Sequence, residues 1–85
     1  MSAFRVAIHI LPRRGLLDPQ GKAVADVLRT LEFAGVRDVR IGRHIVIATE
    51  AADAGEAEAA ARAMCERLLA NPVTEDFEIA GVERA

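Results

Sequence analysis

Asp18-Pro19 constrains the fold more than any other dipeptide in the chain, because the hydrophobic period changes across it. Before it, Phe4, Val6, Ile8 and Ile10 alternate with Arg5, Ala7, His9 and Leu11. Period-two spacing with β-branched residues predicts a strand with one buried face. Pro12-Arg13-Arg14-Gly15 ends it, since proline donates no ladder hydrogen bond. After Pro19, Val24, Val27, Leu28 and Leu31 recur at helical spacing as one apolar stripe. Asp18 can accept hydrogen bonds from the free N–H groups of a first turn, and Pro19 suits the first helical position. A helix is therefore expected over about residues 19–34, with Gly35 as its left-handed stop.

Val39, Ile41, Ile45, Ile47 and Thr49 all fall on odd positions, so one face persists across Gly42-Arg43. Either a hairpin turns there, or one strand of roughly a dozen residues bends at Gly42; the unbroken parity favours the long strand. Such a strand would overhang a small sheet and need a cap or a partner chain. Asp53 to Glu56 forms an aspartate variant of the capping box and opens a second helix. Its buried stripe is read as Ala57, Ala60, Ala61, Met64 and Leu68, and Asn71-Pro72 closes it. A last strand is expected over about 73–82, with Val73, Phe77 and Ile79 buried. The order is β-α-β-α-β, or β-α-β-β-α-β if the hairpin forms. Both are α+β, with two helices on one face of an antiparallel sheet in a ferredoxin-like sandwich.

Eighty-five residues make one domain, and a chain this short buries only about 60–65% of its unfolded surface. Of its 44 apolar residues 17 are alanine, which brings little area to bury. One cysteine forms no internal disulfide and no Cys/His spacing suggests a structural metal, so oligomerisation is the remaining supplement. No run of 18 apolar residues or charged leader occurs, and neither a membrane span nor a secretory signal is expected. The net charge of −2 does not suggest a nucleic-acid binder, but it is unevenly spread. Residues 1–43 carry 8 Lys/Arg against 4 Asp/Glu, and residues 44–85 carry 3 against 9. Such a polarity could orient a partner.

A search for chemistry finds little. Cys65 lies beside Met64, one position off the second helix's centre line, and is read as core packing. His9 and His44 lie opposite the main apolar stripes and could share a metal only if their strands were neighbours. The six glycines make neither a Walker nor a dinucleotide fingerprint, and Asp18 occupies the place an anion would take at the first helix. Arg13-Arg14 is a small basic loop, and Arg37, Arg40 and Arg43 flank the second strand; solvated charge or a protein contact accounts for both.

Three segments nevertheless form a pattern. Leu17-Asp18-Pro19-Gln20-Gly21, Asp38-Val39-Arg40-Ile41-Gly42-Arg43 and Met64-Cys65 through Leu68-Leu69-Ala70-Asn71-Pro72 occur in an order and spacing that resembles the PurS family. That family supplies the small subunit of phosphoribosylformylglycinamidine synthase. The resemblance covers nearly the whole chain; Pro72 departs mildly from the threonine more usual there. It implies a subunit of a ligase that makes formylglycinamidine ribonucleotide in de novo purine synthesis, with no catalytic residues of its own. It also implies a cytoplasmic dimer or tetramer whose strands join, bridging an ATP-dependent synthetase and a glutaminase so that ammonia passes between them. ATP and Mg would serve the whole complex, with no cofactor on this chain, and no nucleic acid or membrane is implied. Arg13, Arg14, Asp18, Gln20, Arg40, Gly42 and Arg43 are the candidate interface residues. A rival reading, a small-molecule-sensing α+β module, rests on fold analogy alone.

Overall fold

The computed structural model describes residues 1–16 and 18–85, so Leu17 of the first motif lies outside the described residues. The order is β1 (Ser2–Pro12), α1 (Pro19–Thr30), β2 (Arg43–Ala51), α2 (Ala54–Met64), a π-helical turn (Cys65–Leu69) and β3 (Glu75–Arg84). Two helices and a three-stranded antiparallel sheet of order β2-β1-β3 give the expected ferredoxin-like α+β arrangement. The hairpin alternative is ruled out, because no strand precedes Arg43 in this stretch. β2 is also shorter than the long strand expected: residues 39–42 add no rung to the sheet. Its odd face does survive, with Ile45 and Ile47 packed on the core and Ala51 buried.

β1 is the centre of the sheet, and its alternation is the core. Phe4, Val6, Ile8 and Ile10 are all buried, each aliphatic side chain contributing about 1.5–3 kcal/mol. Against them pack Ala57, Ala61 and Cys65 of α2 and its π-helical turn. Five of the ten buried apolar residues are alanine, so the helix approaches closely but buries little area. On β3, Ala80 is an extra residue between the Ala7–Gly81 and Ile8–Ile79 pairs. This bulge shifts the parity, and Val82 rather than residue 81 faces the core.

The second helix differs from expectation at its end. Ala70 N–H reaches the Cys65 carbonyl at 3.0 Å, an i→i+5 bond that widens the last turn. Cys65 continues the buried line of Ala57 and Ala61 at regular i+4 spacing, just before the widened turn. Leu68 is rotated outward to 82% exposure while Leu69 packs inward. β3 begins two residues later than read, after a turn in which Asn71 Oδ1 accepts the Val73 N–H at 2.9 Å. Val73 is consequently exposed, not buried.

The first helix also stops early. Leu31 caps it, and Gly35 plays no part in the ending. Phe33 N–H donates to the Leu28 carbonyl at 3.0 Å and Glu32 N–H to the Arg29 carbonyl at 3.1 Å. These are the paired bonds of a Schellman ending, and Glu32 takes the left-handed position at φ 75°. The stripe read as its core face is uncovered: Val27 is 58% and Leu31 60% exposed, and only Gly21 and Ala25 of α1 are buried. The chain is correspondingly extended, 52 × 26 × 14 Å.

Candidate partner interface

Asp18 organises the junction between β1, α1 and the segment before β2. Its Oδ1 accepts the Gly21 N–H at 3.0 Å and caps α1, and its Oδ2 accepts the Ile41 N–H at 3.0 Å. The Gly21 bond first, and the Ile41 bond second, hold this carboxyl below its ordinary pKa. Gly21 is required by contact: a Cβ there would strike the Val39 carbonyl and sit 2.6 Å from Asp18 Oδ2. Arg40 then donates to the Pro12 carbonyl, fastening the same segment to the end of β1.

These elements enclose a cleft of about 640 Å³. Pro12 to Leu16 form one wall, α1 residues Lys22, Ala25, Asp26 and Arg29 a second, and Arg37 to Arg40 the third. Four of the seven candidate residues, Arg13, Arg14, Asp18 and Arg40, are brought together here. Gln20 lies exposed in the first turn of α1 and does not line it. Lys22, Arg29 and Arg37 line it as well, although they were not among the candidates. Lys22, Asp26 and Arg29 recur at helical spacing, the one sequence signal that could have placed them on a common face.

Gly42 and Arg43 do other work. A Cβ on Gly42 would strike the Ile10 carbonyl, so glycine allows the chain to abut β1 rather than to bend. Arg43 Nη2 donates to the Leu69 carbonyl at 2.9 Å and to Glu75 Oε1 at 2.7 Å. Glu75 Oε1 also accepts the Asn71 N–H at 2.8 Å. One guanidinium thus ties the start of β2 to the end of the π-helical turn and the start of β3.

On the open face of the sheet, His9 and His44 are cross-strand partners with ring centroids 4.9 Å apart. Glu78 Oε1 lies 3.6 Å from His9 Nδ1. The neighbouring strands required for a shared metal are present. Among the described residues, however, no group of three or more His, Cys, Asp or Glu side chains is placed to hold one. Cys65 is fully buried, and desolvation raises its thiol pKa, which keeps it protonated and a poor nucleophile. No helix of the described residues is long and apolar enough to cross a membrane.

Fold and cleft define a small ferredoxin-like α+β domain with a charged groove at one junction. Its sequence matches the PurS family, phosphoribosylformylglycinamidine (FGAM) synthase, over residues 5–83. It is 36% identical over 74 residues to the PurS subunit of that synthase from Bacillus subtilis, covering 87% of each chain. With the PurS subunit from Synechocystis it shares 40% identity over 85 residues, covering 98% of this chain and 85% of the relative. Among solved structures, Thermus thermophilus PurS superposes with a TM-score of 0.86 at 37% identity, covering 98% of both chains. A chain of the Thermotoga maritima PurLQS structure superposes at 0.83 with 33% identity, covering 100% of both. The chain belongs to the PurS family, and so is a subunit of phosphoribosylformylglycinamidine synthase, a ligase.

Proposed function

We propose that this subunit is non-catalytic and bridges the ATP-dependent synthetase and glutaminase subunits. In that role it brings ammonia released from glutamine to formylglycinamide ribonucleotide, in the cytoplasm. ATP and Mg serve the catalytic subunits, and this chain binds no cofactor. The observation that carries the reading is the family match together with the Thermotoga maritima relative found in PurLQS. Shape supports it: the radius of gyration is 16.3 Å, against about 12 Å for a compact domain of this length. So extended a chain leaves apolar surface uncovered, and β2 and β3 each offer an unpaired strand edge for joining a second copy into a dimer or tetramer.

Reconstitution tests the bridge. The chain is mixed with the synthetase and glutaminase subunits of the same organism, and glutamine-dependent and ammonia-dependent product formation are compared. The expected result is that only the glutamine-dependent rate requires this chain. A glutamine-dependent rate that is the same without it overturns the proposal.

A further inference from the structure

We infer that the cleft between the β1–α1 loop, α1 and residues 37–40 receives a carboxylate-rich segment of one of the catalytic subunits. This inference rests on the bridging reading and adds to it the surface and the chemistry of the contact.

Six cationic and three acidic side chains line the cleft, a formal excess of +3 in a chain whose net charge is −2. Three of the ordered cations, Arg13, Arg29 and Arg40, are positioned by backbone carbonyls, and of these Arg40 has no carboxylate partner among the described residues. Arg40 donates to the Pro12 carbonyl. Arg29 donates to the carbonyls of Val36 at 2.9 Å and Arg37 at 3.0 Å. Arg13 donates to the Pro72 carbonyl at 2.7 Å, and its one ion-pair partner, Asp76, lies outside the cleft. Lys22 and Arg29 share a single carboxylate, Asp26. Backbone carbonyls thus hold positive charge in place before any partner arrives, which lowers the ordering cost of binding. Arg14 and Arg37 are exposed, and their guanidinium groups have no hydrogen-bond or ion-pair partner among the described residues, which leaves them available to an incoming anion.

The pattern suits carboxylates spaced along a chain better than one compact phosphate. The cations come from three separate walls and are interrupted by Asp18 and Asp38. The N-terminus of α1, which would favour phosphate, is already occupied by the Asp18 side chain. Guanidinium groups pair with carboxylates bidentately and draw an acidic surface in from a distance.

The test uses Arg14→Glu, Arg37→Glu and the double variant, with thermal melting to establish that each folds. Binding to the isolated synthetase and glutaminase subunits is measured across a salt series. The parent chain is expected to bind one subunit with an affinity that falls as salt rises, and the double variant to bind about tenfold or more weakly. Arg14→Lys and Arg37→Lys, which keep the charge but lose the bidentate fork, are expected to bind between the parent and the glutamate variants. A folded double variant that binds within about twofold of the parent, with the same salt dependence, overturns the cleft while leaving the bridge intact. No binding by the parent chain overturns the bridge and the cleft with it. Saturable binding of inorganic pyrophosphate that the double variant loses, with subunit affinity unchanged, assigns the cleft to a small anion and overturns this proposal.

Discussion

Asp18 accepts the backbone N–H of Ile41 across 23 residues of sequence, at 3.0 Å, with the carboxylate oxygen not used to cap α1. One side chain therefore starts a helix and anchors the extended segment that leads into β2. Both bonds favour the charged form, so the folded-state pKa lies below the unfolded value.

The stability linked to a depressed carboxyl pKa is present above the unfolded value and is lost as pH falls through the folded one. Asp18→Asn keeps one capping oxygen but loses the charge. Its melting temperature is expected to lie several degrees below the parent's near neutral pH, and the gap to close below about pH 4. A gap that persists unchanged into acid would show that the charge of Asp18 does not contribute.

Gly42 and Gly35 separate close approach from open space. Gly42→Ala places a methyl group against the Ile10 carbonyl and 2.8 Å from Leu11 Cδ2, and should cost about 1–3 kcal/mol in denaturant titration. Gly35→Ala has nothing within 4 Å and an ordinary φ, and should stay within about 0.5 kcal/mol of the parent. Equal costs at the two positions would contradict the contact with β1.

The widened end of α2 is tested by a pair of alanine variants. Leu68→Ala should change stability by less than about 0.5 kcal/mol, because its side chain is in solvent. Ile8→Ala, at the fully buried centre of the sheet, should cost about 2–5 kcal/mol. A large loss at Leu68 would restore the regular helix and its expected stripe.

Glu32 is left-handed where glycine is the usual occupant of a Schellman ending. Glu32→Gly should raise stability by up to about 1 kcal/mol, through relief of that strain. Unchanged or lowered stability would place the ending elsewhere.

Cys65 should resist a thiol reagent in the native chain and react fully once unfolded, since burial both hides it and raises its pKa. Rapid native labelling at neutral pH would mean that the packing of α2 on β1 opens readily.

The elements legible in the residues were those governed by neighbours in sequence. The alternation of Phe4, Val6, Ile8 and Ile10, the caps at Asp18 and Asp53 and the parity of β2 each depend on groups within a few positions. Their chemistry acts before any distant segment arrives. The misread ends had equally local causes that composition hides. Glu32 and the π-helical turn satisfy carbonyls where a glycine or a regular turn was the simpler expectation.

Of the candidate interface, residue type picked out arginines but could not say which were spent within the chain. Arg43 is absorbed by Leu69 and Glu75, while the Arg14 side chain has no partner among the described residues, and no spacing rule distinguishes them. Lys22 and Arg29 join the cleft only because α1 lies across from residues 37–40. Period, caps and turns were written in the chain because their energies come from contacts a few residues apart. The cleft, the uncovered face of α1 and the duties of Gly21, Gly42 and Arg43 were decided by tertiary packing. Those come from groups tens of residues apart, whose meeting depends on how much of the backbone closes around them.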